Sequence, residues 1–224
     1  MNAPGNVSKL LLRHVPLLAM LPDDQLEALT TVVKRMNYSR GATIIAAGDA
    51  TDSLYMVISG RLKVFMSDID GHEVTLSILG PEEYFGEMVP IDESPRSASV
   101  VALEACEILM LSKHDFKKCL SRNFDMTMTV LRCLVQRLRE ADRKIGSLAL
   151  MDVYGRVVRE LMDMSEFIDG QRVITRKIVK KDIATMIGAS REMVSRVMKD
   201  LQHRGLVEVR GNVMLLRDNI RPAH

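Results

Sequence analysis

The chain has 224 residues, 47% of them hydrophobic, which suits one large domain or, as we expect, two smaller ones. No apolar run approaches the roughly 18 residues that a membrane span needs, and the first residues lack the basic stretch and apolar core of a leader, so we predict a cytoplasmic protein. The net charge is only +2, but residues 172–221 hold 12 Lys and Arg against 5 Asp and Glu. This segregation is typical of a DNA-binding module joined to a second domain, although a basic solvated surface remains the alternative.

Short β-rich runs separated by glycine turns occupy the N-terminal half, from about Tyr38 to Leu111. The runs are TIIAA, LYMVIS, LKVFM, VTLSIL and SASVVALEACEILML. Regular short strands of this kind predict an antiparallel sandwich or barrel. A short helix capped by Asp23 is expected before it. The apolar positions at helical spacing in that helix are Leu26, Leu29, Val32 and Val33.

A long helix is predicted from about Asn123 to Leu150, because no proline or glycine interrupts the stretch before Gly146. Positions at intervals of four and three form a heptad seam: Met128, Leu131, Val135, Leu138, Asp142, Ile145 and Ala149. Such a seam predicts a parallel helix pair across the two-fold axis of a homodimer. The alternative is an amphipathic helix that packs on its own barrel. Asp142 is the anomaly, since it puts a charge at an apolar position.

Beyond Met151 the pattern changes to helix, helix and hairpin, with Asp152 as the cap of a helix that ends near Phe167. Residues 180–204 contain two short amphipathic segments that meet at Gly188, the second one capped by Ser190. Such an arrangement predicts a helix-turn-helix. Gly205 ends the second helix, and a hairpin with a Gly211-Asn212 turn follows it as a wing.

Four residues share the side of the second helix that lies opposite its apolar stripe: Arg191, Glu192, Ser195 and Arg196. Arginine matches the two acceptors of guanine, and a carboxylate accepts from the amine of cytosine, so this face can read sequence in the major groove. A surface salt-bridge network of the same residues is the alternative. The cations around the face suit phosphates, which fix register without reading sequence: Lys180, Lys181, Lys199, Arg204 and Arg210.

The segment YFGEMVPIDESPRSASVVAL combines a Gly-Glu step with an Arg-Ser pair in the β-rich half. Gly86 lets backbone N–H groups approach an anion, Arg96 offers a bidentate phosphate clamp, and Glu87 can accept from a ribose hydroxyl. This pattern predicts a phosphate site. The alternative is a surface ion pair of Arg96 with Asp92 or Glu93.

The glycines at 48, 60, 71 and 86, the FGE…RSA cassette, LALMDVYGRV and IGASREMVSRVMKDL together resemble the CRP/FNR superfamily, closest to its cyclic AMP receptor branch. The resemblance covers roughly residues 20–217 and implies an eight-stranded cyclic-nucleotide-binding barrel, a TGTGA-like half-site and RNA polymerase as a partner. The implied effector-binding residues are Gly86, Glu87, Met88, Arg96, Ser97, Ala141 and Asp142. The resemblance also implies that Arg191, Glu192 and Arg196 read the half-site. Together with the residues named above, the predicted DNA-binding set is Lys180, Lys181, Ser190, Arg191, Glu192, Ser195, Arg196, Lys199 and Arg210.

The chain departs from the cyclic AMP receptors at the adenine end. A Thr-Ser pair of that branch corresponds here to Ala141 and Asp142, and the loop from Gly86 to Arg96 is one residue shorter. Cyclic AMP is the first candidate effector, with cyclic GMP, cyclic di-GMP, haem or no ligand as alternatives. A further hypothesis is that paired Asp142 carboxylates repel across the dimer axis until an adenine amine donates to them, with a mere register role as the alternative.

No metal and no enzymatic chemistry are expected. The three cysteines, Cys106, Cys119 and Cys133, contain no CxxC pair, and His72 fits a solvated turn better than a haem ligand. No catalytic constellation stands out. We therefore expect an α+β protein of three parts, an effector-binding barrel domain with short flanking helices at 1–122, a dimerisation helix and hinge at 123–151, and a winged helix-turn-helix at 152–224.

Overall fold

The computed structural model describes residues 7–175, 178–217 and 220. The first six residues, over which the sequence predicts no leader, therefore lie outside the described part. The chain forms two compact units. One comprises the residues up to 71 together with 76–137, and the other comprises 72–75 together with the residues from 138 onward. Among the described residues, no helix combines the length and the apolar character needed to cross a membrane.

Three short helices precede the sheets: α1 Lys9–Arg13, α2 Pro16–Ala19 and α3 Asp23–Thr30. The prediction that Asp23 caps the third helix is wrong, because the N-cap is Pro22 and Asp23 is the first helical residue. Its carboxylate instead forms ion pairs with Lys9 and Arg13 of α1. The predicted apolar stripe also ends early, since α3 stops before Val32 and Val33.

Two four-stranded antiparallel sheets confirm the predicted β-rich domain. The first has the order β1-β8-β3-β6 and the second β2-β7-β4-β5. The strands are β1 Lys34–Tyr38, β2 Thr43–Ile45, β3 Leu54–Ser59, β4 Leu62–Ser67, β5 Glu73–Leu79, β6 Tyr84–Phe85, β7 Ser99–Ala102 and β8 Cys106–Leu111. The sequence predicts neither β1 nor β6. It also treats β7 and β8 as one run, whereas a turn separates them.

Gly60 closes the turn between β3 and β4 against the start of β8. Its φ is +86°, and an added Cβ would lie 2.5 Å from both Ala105 O and Cys106 Sγ. Only glycine fits there, because the nearest atoms include backbone. Burial raises the pKa of the Cys106 and Cys119 thiols, as is typical of inert structural cysteines.

The cassette after β6 contains a five-residue helix, α4 Met88–Asp92, and β8 leads into α5 Lys113–Arg122 and α6 Phe124–Leu150. The long predicted helix is thus confirmed, and Asn123 caps it by accepting a hydrogen bond from Met126 N at 2.9 Å. Two faces of α6 are apolar. Met126 and Val130 are buried in the core of the first unit. The predicted seam positions Leu131, Val135, Leu138 and Ile145 are exposed.

The C-terminal elements are α7 Val153–Asp163, β9 Glu166–Ile168, β10 Gln171–Ile174, α8 Lys180–Ile187, α9 Arg191–His203, β11 Val207–Arg210 and β12 Val213–Leu216. Asp152 caps α7 as predicted, since it accepts from Gly155 N at 2.7 Å. However, α7 ends at Asp163, and Phe167 lies in β9 instead. The predicted wing hairpin is one half of a four-stranded sheet of order β11-β12-β10-β9.

The predicted helix-turn-helix is confirmed, and a side chain of α7 forms a hydrogen bond with its turn. Gly188 has a φ of +61°, so it ends α8 in the left-handed conformation that glycine tolerates. Arg156 of α7 donates from Nη1 to Ile187 O at 2.7 Å and so satisfies a carbonyl that the end of α8 leaves open. Buried side chains from α7, α8 and α9 form one core beneath the two helices.

Gly60→Ala tests the close approach in the barrel. We expect it to lower the free energy of unfolding by about 2–4 kcal/mol, because left-handed strain is added to overlap with backbone atoms that cannot yield. Gly41→Ala is the matched control, since Gly41 has a φ of +84° but no atom within 4 Å of its added Cβ. That control should lose only about 1 kcal/mol in urea denaturation. Equal losses of unfolding free energy in the two variants would show that the structure relaxes around the added Cβ at position 60, and the close approach would then not require glycine.

Candidate functional site

Arg96 lies buried beside the Gly-Glu step, with only 4% of its surface exposed. It donates three hydrogen bonds to neutral acceptors, from Nε to Thr51 Oγ1 at 3.1 Å, from Nη1 to Gly86 O at 2.8 Å and from Nη2 to Ser53 O at 2.7 Å. The guanidinium also lies 5.6 Å from the ring centre of Tyr55. These bonds fix its orientation without neutralising its charge.

The predicted alternative, an ion pair of Arg96 with Asp92 or Glu93, is not formed in the described residues. Glu93 pairs instead with Lys113 and Lys117, which lower the pKa of its carboxyl group to about 2. Asp92 accepts a hydrogen bond from Ser94 N. Burial lowers the pKa of Arg96, which reflects the cost of holding this cation away from water. A buried guanidinium without a bonded carboxylate is suited to an anionic ligand.

Gly86 is required by the position of Arg96. Its φ is +80°, and an added Cβ would lie 2.5 Å from Arg96 Nη1 and 3.0 Å from Ser53 O. The missing side chain therefore makes room for the guanidinium as well as for the turn. The sequence predicts Gly86 and Arg96 as partners in one site, and the structure brings them together. It does not predict the contributions of Thr51, Ser53 and Tyr55.

Glu87 is fully buried, and one half of its carboxylate is unsatisfied. Oε1 lies 2.7 Å from Arg137 Nη1, whereas Oε2 has no hydrogen-bond partner among the described residues. Arg137 also donates from Nη2 to Tyr84 O at 2.5 Å. Burial is the largest single influence on the pKa of Arg137 and acts to lower it, but Glu87, Cys133 and Tyr84 together outweigh it, so the net shift is upward. The free Oε2 is an acceptor that a ligand hydroxyl could satisfy.

Arg137 is the charged residue of this site that sequence reasoning missed. A signal was present, since Arg137 continues the row of Met126, Val130 and Cys133, which faces the core of the first unit. A cation on such a row needs a buried counter-charge. The periodicity does not say which carboxylate supplies it, because Glu87 is 50 residues away in the sequence.

The remaining predicted effector residues are exposed, unlike the buried Glu87 and Arg96. Met88 and Ser97 are both exposed. Ala141 and Asp142 are exposed residues of α6 in the second unit, and Asp142 has no ion-pair partner in the described part of the chain. Their role at the effector site therefore stays a prediction. His72 is exposed in the turn between β4 and β5, as expected.

The candidate DNA-reading face is the exposed side of α9. Ser190 caps the helix by accepting from Met193 N at 3.2 Å, as predicted. Beyond the cap, Arg191, Glu192 and Arg196 are exposed and form no ion pair with any described residue. The described residues therefore do not form the alternative salt-bridge network. Two guanidinium groups and a carboxylate are available to an external partner at the N-terminal half of the helix.

The predicted phosphate-binding cations fall into two groups. Lys181 and Lys199 are exposed and have no partner among the described residues. The others are bonded within the protein. Lys180 donates to Ser195 Oγ at 3.1 Å, and Arg204 donates to the hydroxyl of Tyr154 at the same distance. Arg210 forms a 2.7 Å ion pair with Glu208, which raises the pKa of Arg210.

Comparisons with known proteins match both regions. The family model for the cyclic nucleotide-binding domain matches residues 35–123, and that for the Crp-like helix-turn-helix domain matches residues 155–218. The cAMP-activated global transcriptional regulator Vfr of Pseudomonas aeruginosa is 34% identical, over 85% of this chain and 92% of its own length. A CRP-like cAMP-activated global transcriptional regulator of Mycobacterium tuberculosis is 30% identical, over 88% and 89%.

A solved structure is similar in fold as well. The c-di-GMP responsive global regulator CLP of Xanthomonas campestris is 27% identical and has a TM-score of 0.73, with 88% of this chain and all of the other chain covered. These relatives are transcription regulators, which confirms the prediction that the chain is not an enzyme. The identities and coverage together show that the chain belongs to the CRP/FNR family of DNA-binding transcription regulators, near its cyclic AMP receptor branch.

Proposed function

We propose that this regulator is a cytoplasmic homodimer that binds cyclic AMP, or a closely related cyclic nucleotide, and then reads a TGTGA-like palindrome. The effector proposal rests on two buried charged groups in the N-terminal sheets whose electrostatic or hydrogen-bonding partners are missing. In the part of the chain that the structure describes, Arg96 is buried with no bonded carboxylate, and Glu87 Oε2 is buried with no hydrogen-bond donor. RNA polymerase is the partner that the family resemblance implies.

A cyclic nucleotide fits these two groups with its phosphate and its ribose. The phosphate would lie against the Arg96 guanidinium, where two N–H groups remain after its three bonds to the protein. Ser97 can add a hydroxyl donor, and Gly86 leaves its backbone open to the ligand. The ribose hydroxyl would donate to Glu87 Oε2, while Arg137 holds the other carboxylate oxygen, Oε1, at 2.7 Å. No metal is needed to balance this arrangement.

The base end distinguishes among the candidate effectors. Vfr and the Mycobacterium tuberculosis protein carry cAMP activation in their names, and on this ground cyclic AMP comes first. CLP is described as responsive to c-di-GMP, which makes the dinucleotide the second candidate. On the family correspondence, Ala141 and Asp142 replace two hydroxyl groups of the cyclic AMP receptors, so Ala141 offers no side-chain hydrogen bond and Asp142 offers acceptor oxygens alone. The affinity of this end of the site for the base therefore decides between cyclic AMP and cyclic di-GMP.

The reading face of α9 supports a specific DNA site. Arg191 and Arg196 can each donate two bonds to guanine O6 and N7, and Glu192 can accept from the amine of cytosine. None of these groups has to leave an ion pair within the described chain first. Lys181 and Lys199 are equally unpaired, which suits contacts with the phosphate backbone.

The exposed apolar row of α6 supports the homodimer. Leu131, Val135, Leu138 and Ile145 are between 48% and 63% exposed in the single chain. A row at heptad spacing is buried most simply against its own copy on a two-fold axis. Asp142 lies in the same row, so two carboxylates would approach each other there. Their repulsion is the allosteric hypothesis for this residue, and a register role is the alternative.

Isothermal titration with cyclic AMP, cyclic GMP and cyclic di-GMP tests the effector. We expect cyclic AMP to bind the wild-type protein, and Gly86→Ala to weaken binding at least about tenfold, because the methyl group displaces Arg96 from the phosphate position. Gly41→Ala is the matched control, since it carries the same left-handed strain away from any neighbour. It should bind like the wild type.

The same titration has two contrary outcomes. Binding of cyclic di-GMP alone would replace cyclic AMP with the second candidate. If none of the three nucleotides binds, the proposal of a cyclic nucleotide effector is wrong, and a Soret band after haem reconstitution would then identify haem as the ligand.

Alanine substitutions on α9 test the reading face. Arg191→Ala should cost about 1–3 kcal/mol on the specific site and little on random DNA, because a bidentate guanine contact is lost. Lys199→Ala should weaken both kinds of DNA alike and reduce the salt dependence. Fluorescence anisotropy at several salt concentrations measures both effects. Equal losses on specific and random DNA in Arg191→Ala would assign that residue to the phosphates.

Leu138→Lys tests the dimer seam. A lysine from each copy would place like charges in an apolar interface, so we expect monomers by light scattering and weak binding to a palindrome whose half-site centres lie roughly 34 Å apart. Leu10→Lys is the control, because Leu10 is 68% exposed but lies on α1, outside the seam. If Leu138→Lys stays dimeric, α6 is not the interface.

A further inference from the structure

Two adjacent lysines at the start of α8 have different surroundings. Lys180 is half-buried and donates from Nζ to Ser195 Oγ of α9 at 3.1 Å. Lys181 is exposed and has no partner in the described part of the chain. Composition alone would give the two cations the same function at a phosphate backbone. The bond to Ser195 separates them, because it holds only the Lys180 ammonium against the second helix.

Ser195 belongs to the reading face of that helix. It lies one helical turn after Arg191 and one turn before Lys199, and Arg196 is its neighbour in the sequence. The ammonium that Ser195 holds is therefore positioned among the side chains that face an external partner. A cation whose only function was to contact phosphate would need no such tether, since phosphate contacts tolerate flexible side chains.

The hydrogen bonding of the pair defines what it can recognise. The ammonium has three N–H groups and uses one on Ser195, so two remain. The Ser195 oxygen accepts that bond and keeps its own O–H free to donate. The pair thus offers several donors and carries a positive charge. In the major groove, guanine presents two acceptors and thymine one at O4, whereas cytosine presents an amine donor and adenine presents an amine donor beside its single acceptor N7.

We propose that Lys180 and Ser195 act together as a base-reading unit that selects a keto base, guanine above thymine, at one position of each half-site. The inference rests on the proposed function, namely that α9 lies in the major groove. It adds a specificity element beside Arg191 and Arg196, and it moves Lys180 from the phosphate-binding set to the base-reading set. Ser195 both positions the ammonium and donates to the base.

Selection from a randomised palindrome library, followed by sequencing, tests this unit in the full-length dimer with cyclic AMP present. The variants are Lys180→Met, Ser195→Ala and the matched control Lys181→Met. Lys180→Met and Ser195→Ala should both lose the keto preference at the same single position of each half-site. Discrimination there should fall by roughly 5-fold to 150-fold, while the other positions keep their preferences.

The control should behave differently. Lys181→Met should select the same sequence as the wild type, bind all sequences more weakly, and show a salt slope reduced by about one. If Lys180→Met also weakens all sequences alike and keeps every preference, Lys180 contacts phosphate and the inference is wrong. A preference that changes in Lys180→Met but survives in Ser195→Ala would likewise contradict a paired unit. Failure of the wild-type protein to select any palindrome would instead contradict the proposed function.

Discussion

A carboxylate that is removed from water needs a counter-charge, and Glu87 obtains it from the long helix. The 2.7 Å contact with Arg137 supplies that charge, while Arg96 nearby has only neutral acceptors. These three groups at the cassette together carry one net positive charge. The phosphodiester of a cyclic nucleotide carries one negative charge, so its arrival would balance them. Because an uncompensated buried charge is costly, the net positive charge of this group favours an anionic ligand over a neutral one.

The same contact gives α6 a part in the proposed effector site. One face of the helix packs in the first unit through Met126 and Val130, and Arg137 continues that face to the cassette. The opposite face carries the exposed apolar row that includes Leu138. A ligand that donates to Glu87 would change the charge distribution on the carboxylate that Arg137 contacts. Arg137 is followed directly by Leu138, which lies in the proposed seam of the same helix. Differential contact of this kind is what allows a ligand to shift a conformational equilibrium.

Local rules allowed much of the fold to be predicted, and non-local pairing accounts for what was missed. Gly188, Ser190 and Asp152 define helix ends through their own backbone or side chain, so those boundaries were correct. By contrast, β1 has the sequence KRMNY, with no clean alternation, and is a strand because it pairs with β8 from Lys34↔Met110 to Tyr38↔Cys106. The Arg137 contact is non-local in the same way. The roles of Ala141 and Asp142 remain predictions.

The chemistry of each partner explains how the cations of the C-terminal unit can differ in function. Arg210 is bonded to a carboxylate, so its charge is already balanced, and it must give up this exposed ion pair before it binds phosphate. Lys180 is bonded to a neutral hydroxyl, which fixes its position but leaves its charge. Arg191, Arg196 and Lys199 have neither constraint within the described chain. The electrostatic attraction to DNA therefore comes mainly from the unpaired cations. Under our proposal, a cation held by a hydrogen bond, such as Lys180, contributes to sequence specificity because its position is fixed.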